Sequence, residues 1–231
     1  RSGARHTATL TPTADENGHY KAGVWVRDSG AGIGTMSFVD PQHGTFAGLG
    51  HSISDADTGA DLTLLSGEIV PVTITGCIRG AAGSPGELRG EFAAAPAGTV
   101  LANDAAGVYG SYTGSCTAPA LPVANLQEVT PGEAELWTTV LGTTAQPYTI
   151  QVERVTMTGS DPNRNLLIRV TDKRLLDATG GVVQGMSGSP IVQNGRLAAV
   201  LTHVLVNDPS RGYAIFATTM LEKADAVASS K

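Results

Sequence analysis

Ser187 stands in Gly185-Met186-Ser187-Gly188-Ser189-Pro190, a glycine-flanked turn directly ahead of an apolar run. Small neighbours leave a hydroxyl exposed there, and successive backbone N–H groups can converge on one oxygen beside it, which is what acyl transfer needs. The N–H groups of Gly185 and Ser187 would then form the oxyanion hole. A serine used this way requires a base and a group to orient that base. Five histidines are available. His6 and His19 lie in a polar N-terminal stretch and His43 in the turn Pro41-Gln42-His43-Gly44, so these read as exposed loop residues. Thr202 and His203 lie on the apolar run that follows the serine and suit the wall of a substrate cleft, although a satisfied, half-buried histidine is an equal reading of His203. His51, in Leu49-Gly50-His51-Ser52-Ile53-Ser54-Asp55, is the best base, at a strand end 136 residues before Ser187. Two aspartates compete for the acid. Asp104 lies 53 residues after His51, and Asp172 lies 15 residues before Ser187, where it would equally suit the cap of a short helix.

Short β-branched and aromatic runs bounded by Gly, Pro, Asn and Asp must position these residues. They predict strands at 23–26, 34–39, 68–77, 108–113, 135–140, 148–156, 165–170, 190–192, 197–206 and 213–216. Asn194-Gly195 is a strong two-residue hairpin signal. The convincing helix is C-terminal, over 218–228, and a smaller helical turn is expected over 172–176. A Pro-containing, weakly periodic stretch predicts a linker at 119–128 between a half at 1–118 carrying His51 and a half at 129–231 carrying Ser187. The fold class is therefore all-β, with about six strands per half, enough for two small closed or nearly closed barrels with a cleft at their junction.

The chain has 231 residues, 15 Lys plus Arg against 21 Asp plus Glu, and a formal net charge of −6. No dense basic run exists, so nucleic acid is not an expected partner. No apolar run approaches a membrane span. The chain starts at Arg1 without an initiator Met or leader, which suggests a processed form or an excised segment. Glycine is about twice its average abundance, at 29 residues, without a Gly-X-Y period, and points to many tight turns. Cys77 and Cys116 match no metal-ligand spacing, and a disulfide and two free thiols are equally open. Asp55, Asp57 and Asp61 alternate beside His51 in a pattern that could bind Ca²⁺, but the EF-hand spacing is absent and a solvated turn is the expected reading. No metal and no cofactor is called for.

The Ser187 turn, its hairpin, the following strand and the terminal helix resemble, in that order, the end of a chymotrypsin-like peptidase. There the turn reads Gly-Asp-Ser-Gly-Gly-Pro, and Met186 and Ser189 depart from it. Closer still is the peptidase domain of stage IV sporulation protein B, a serine peptidase family of spore-forming bacteria, which several stretches resemble. They are Gly23-Val24-Trp25-Val26-Arg27-Asp28-Ser29 with Ala31 to Thr35, Gly48-Leu49-Gly50-His51 with Ile53-Ser54-Asp55, Thr171-Asp172-Lys173, the run from Thr179 through Ser187 to Ile191, and Thr202-His203-Val204 through Tyr213. The resemblance implies a chymotrypsin-like double β-barrel with a short C-terminal helix, Ser187 as nucleophile, His51 as base and Asp172 as acidic partner. It also implies an N-terminal membrane segment and a PDZ domain in the full-length protein, and export into the space between forespore and mother cell. The implied activity is cleavage of itself and of a membrane-bound regulator of an intramembrane protease, which leads to sigma-factor activation. A pseudo-peptidase that only holds peptides and a Ca²⁺-binding β domain are the alternatives.

Overall fold

A computed structural model describes residues 7–22, 30–55, 57–64, 66–159 and 161–229. The strand expected at 23–26, the matched stretch 23–29 and His6 lie outside the described residues. The chain divides into two compact units, residues 1–32 and residues 33–231. In the first, β1 (Thr13–Ala14) pairs antiparallel with β2 (Tyr20–Lys21), and Asp15 accepts from the Asn17 and His19 N–H groups in the turn between them.

The second unit holds the other strands of the described residues. They are β3 (Met36–Asp40), β4 (Thr45–Gly48), β5 (Glu68–Ile69), β6 (Val72–Ile78), β7 (Glu87–Phe92), β8 (Gly98–Asp104), β9 (Gly107–Tyr112), β10 (Gly132–Thr138), β11 (Gln146–Val155), β12 (Leu166–Val170), β13 (Pro190–Gln193), β14 (Arg196–Val204) and β15 (Arg211–Phe216). Helix α1 (Lys173–Thr179) follows β12, and α2 (Ala217–Ser229) follows β15. The last six strands close into a barrel in the order β10-β11-β12-β15-β14-β13. Their alternation explains it: Tyr148, Ile150 and Val152 of β11 point inward, and meet Leu136, Leu166, Ile168, Ile191 and Leu201 in one buried core. Asn194 and Gly195 both have positive φ, 51° and 73°, which is the two-residue turn expected between β13 and β14.

The first half forms a half-barrel, the open end of the closed or nearly closed range expected. Its sheet runs β3-β4-β9-β8-β5 and stays open, while β6 and β7 form a separate two-stranded hairpin. The physical reason is where the hairpin puts its apolar residues. Ile74 and Leu88 are buried in the core of the C-terminal barrel, and Ile74 exchanges both backbone hydrogen bonds with Gly142. The run expected as one strand at 68–77 is broken at Val70-Pro71, between β5 and β6. Helix α2 joins the two sheets: Met220 and Ala224 pack with Ala47, Ala106 and Tyr109 of the half-barrel and with Val200 and Ile215 of the barrel. The stretch expected as a linker lies along β14, where Ala124 donates to the Leu197 carbonyl and Leu197 to that of Pro122. Cys77 and Cys116 are both free thiols.

Candidate active site

The turn that carries Ser187 is held from both sheets. From the half-barrel side, Thr35 donates its N–H to the Ser187 carbonyl (2.8 Å) and its hydroxyl to the Gly185 carbonyl (3.1 Å). From the barrel side, Gly188 donates to the Leu201 carbonyl (2.8 Å), and Met186 is fully buried beneath the turn. Gly188 is required here. Its φ is +96°, and a Cβ would lie 1.9 Å from the Thr35 oxygen and 2.7 Å from the Leu49 nitrogen.

His51 arrives on a strained bend. Leu49 takes φ +67° and Gly50 φ +71°, and a Cβ on Gly50 would meet the Thr202 methyl at 2.9 Å. A non-glycine residue in the left-handed region costs about 1–3 kcal/mol, and such strain persists where the surroundings over-determine it. The bend lays His51 against β14, with its ring 4.9 Å from that of His203. The next carbonyl along β14, that of Thr202, accepts the Ser187 hydroxyl at 2.7 Å. Ser187 and His51 are therefore each in contact with the Thr202-His203 segment of β14. The structure records the hydroxyl on the Thr202 carbonyl, and rotation about one side-chain bond redirects it, as serine hydroxyls in unliganded sites do.

The imidazole has a defined tautomer. Its Nδ1 lies 2.8 Å from the Ser52 carbonyl oxygen, which can only accept, so Nδ1 carries a proton and, in the neutral form of the ring, the lone pair is on Nε2. The peptide that carries the Gly185 N–H is likewise oriented. Gln184 donates to the Gly86 carbonyl and accepts from Leu88 N–H (2.9 Å). In a trans peptide the N–H opposes the C=O, so the Gly185 N–H points away from Leu88. Among the described residues, neither it nor the Ser187 N–H donates to another backbone group.

Thr202 is buried, and its hydroxyl is within hydrogen-bond reach of the Asn163 and Tyr213 carbonyls. It is therefore a structural part of the β14 segment that holds the serine hydroxyl. His203 keeps an exposed edge. Partial removal from water, then the nearby His51 and Arg164, hold its imidazole below the ordinary histidine range. It stands next to the Thr202 carbonyl that accepts the serine hydroxyl.

Neither aspartate is brought to His51. Asp104 pairs with Lys223 of α2 at 3.1 Å and accepts from Ala106 N–H. Asp172 is the N-cap of α1: it accepts from Arg174 N–H (2.8 Å) and Thr149 N–H (3.3 Å) and pairs with the Arg174 guanidinium (2.7 Å). It lies past the far end of β12, whose near end, Leu166, is opposite Ala214 and, through it, Leu201. Six residues of extended chain put it roughly 20 Å farther along. Asp55, Thr58 and Asp61 are engaged in local hydrogen bonds. Asp61 accepts from the Ser52 and Ser54 hydroxyls, which lower its pKa, and Asp55 accepts from Thr58.

The capping role makes a prediction. Arg174 first, and then its own N–H and that of Thr149, hold the Asp172 carboxyl down at about 2. Because the folded value is depressed, its contribution is complete above the unfolded value near 4 and is lost as pH falls through about 2. Asp172→Ala should therefore cost about 1 kcal/mol at neutral pH, with the difference from wild type shrinking below about pH 4 in acid melts. It should leave the reactivity of Ser187 within a few-fold of wild type; a crippled serine in a well-folded variant would restore the acid role to Asp172.

One residue that matters here gave no signal in the sequence. Asn103 binds the His51 loop from the end of β8, with its amide on both polar atoms of the Ile53 backbone. Its place between base and nucleophile in the chain, next to a candidate acid, is the only hint available.

Comparison with known proteins gives the family of the chain. No curated protein sequence matches the chain. Among solved structures, the Rv3671c protease from M. tuberculosis in its active form is similar at 17% identity, with 88% of this chain and 93% of that chain covered and a TM-score of 0.41. The HtrA-type protease AlgW with decapeptide is similar at 12% identity, with 84% of this chain and 62% of that chain covered and a TM-score of 0.42. The family profile described as SpoIVB peptidase S55 matches residues 18–221, most of the sequence, and with a serine turn docked between a closed barrel and a half-barrel the chain belongs to the SpoIVB serine peptidase family.

Proposed function

We propose that this serine peptidase is an endopeptidase in which Ser187 Oγ attacks the peptide carbonyl and His51 Nε2 takes its proton, then returns it to the leaving amine. The Gly185 and Ser187 N–H groups stabilise the oxyanion, a contribution worth about 3–4 kcal/mol per donor in such sites. The observation that carries this reading is the convergence of the Ser187 hydroxyl and the His51 ring on the Thr202-His203 segment of β14. The cleft at that segment takes an extended peptide, with Thr202 and His203 along its wall.

We further propose the cellular role that family membership implies. The domain cleaves itself and a membrane-bound regulator of an intramembrane protease, which leads to sigma-factor activation during spore formation. It acts in the extracytoplasmic space between forespore and mother cell, as part of a longer protein with a PDZ domain and an N-terminal membrane segment. Membership in the sporulation family supports this role.

A fluorophosphonate probe tests the chemistry. Folded wild-type protein should label at one serine, identified as Ser187 by peptide mapping, with a rate unchanged by a metal chelator. Folded protein that takes up no probe at neutral pH would mean that the fold holds peptides without cutting them. Fragment mapping of wild type against Ser187→Ala would report self-cleavage and the residues preferred at the cut.

A further inference from the structure

We infer that Asn103 is the positioning residue for the base, and that the Ser52 backbone carbonyl, fixed by Asn103, does for His51 what a carboxylate does in a three-residue constellation. This rests on the reading of His51 as the base.

The geometry is specific. Asn103 Oδ1 accepts from Ile53 N–H at 2.7 Å, while Nδ2 donates to the Ile53 carbonyl at 3.0 Å and to the Leu62 carbonyl at 2.9 Å. Both amide hydrogens are thereby used, and the side chain is half-buried, so it has little freedom. The Ile53 N–H belongs to the same rigid plane as the Ser52 C=O, and in a trans peptide the two point in opposite directions. Fixing the N–H on Asn103 therefore aims the Ser52 oxygen the other way, where it accepts from His51 Nδ1 at 2.8 Å. One side chain thus sets the orientation of the acceptor that sets the tautomer. Asp104 and Asp172 are occupied by Lys223 and Arg174. A carbonyl acceptor carries no charge, so it orients the imidazole without the attraction that a carboxylate gives to the imidazolium.

Nothing comparable is offered by the alternative roles of an asparagine at a strand end. A turn asparagine bonds to its own backbone within a few residues, whereas these three bonds span 41 and 50 positions of sequence. A matched control exists elsewhere in the fold. Gln193 also makes three amide hydrogen bonds to the backbone, at Thr130 and Glu133, beside β10.

Two measurements test the inference. Nitrogen-15 spectra of labelled histidine, assigned by difference with His51→Ala, read the tautomer without any turnover. At a pH where His51 is neutral, wild type should show its proton on Nδ1, and Asn103→Ala should show a mixture of tautomers. A wild-type His51 protonated on Nε2, or an Asn103→Ala spectrum unchanged at His51, overturns the inference. The second measurement is the rate of fluorophosphonate labelling at Ser187. Asn103→Ala should slow it on the order of 10²-fold, less than the roughly 10⁴-fold of a full tautomer error. The slowing should vanish in the His51→Ala background, because a residue acting through the base adds nothing once the base is gone. Gln193→Ala should label near the wild-type rate at a similar loss of melting temperature. Labelling of folded Asn103→Ala at the wild-type rate, or a further slowing in the double variant, also overturns it. Failure of wild type to label at all defeats the peptidase reading and leaves the tautomer measurement to decide the role of Asn103.

Discussion

Ser187→Ala is expected to lower peptide or ester turnover on the order of 10⁴- to 10⁶-fold while leaving the protein folded. The loss comes from chemistry, because the substitution removes the one atom that can become the acyl oxygen. The structural cost is small. Ser187 makes a single side-chain hydrogen bond, to the Thr202 carbonyl, worth about 1 kcal/mol. The turn itself is held by the backbone bonds from Thr35 and Gly188, which alanine keeps. His51→Ala should fall in the same range, and the double variant should be little worse than either alone, since the two act as a unit. Residual turnover above the uncatalysed rate would come from the Gly185 and Ser187 donors. Steady-state kinetics with an activated ester, alongside circular dichroism, gives the answer. A Ser187→Ala protein with turnover within about tenfold of wild type would place the nucleophile elsewhere.

The second large effect is on stability. Gly188→Ala should cost about 3 kcal/mol or more, because the residue adopts φ +96° and its Cβ would overlap the Thr35 oxygen. That oxygen accepts the Leu49 N–H at 3.2 Å, so the methyl would be wedged into the bond that ties the serine turn to the approach to His51. For a domain of this size the melting temperature should drop by roughly 6–12 °C. Labelling by the fluorophosphonate probe should be lost even well below the transition, because relief of the overlap moves the turn away from Thr35. A variant that melts within about 2 °C of wild type and still labels would show that the close approach of the two segments is not needed.

The parts of this molecule that were legible in the sequence are those set by local chemistry. A glycine-flanked serine before an apolar run, and an Asn-Gly pair after it, dictate the turn, β13 and β14 within about fifteen residues. The barrel strands announce themselves because one face is buried and the other is not, as in the alternation of β11. The half-barrel was less readable for two reasons. In β4 all four residues are buried, so no alternation exists to detect. In β6 and β7 the apolar residues serve a core formed mainly by the other half, which no window of sequence contains. The acid was the hardest point. Spacing along the chain favoured Asp104 and the family resemblance Asp172, yet which groups stand beside an imidazole depends on how far each strand carries its end. For Asp172, β12 carries it the wrong way. Asn103 was invisible because its three partners lie 41 and 50 positions away.

The bonds from Thr35 to the Ser187 turn also have a meaning in time. Thr35 and Gly185 are 150 positions apart, so this contact closes one of the longest loops in the chain. Loop closure of that length carries an entropic cost that local turns do not repay, and such contacts form late in folding. The C-terminal barrel, rich in neighbouring hairpins, can gather itself earlier, but until Thr35 arrives the serine turn lacks its supports from the half-barrel side. The order of loop lengths thus sets the docking of the serine turn onto the half-barrel among the last steps of assembly, after the local hairpins.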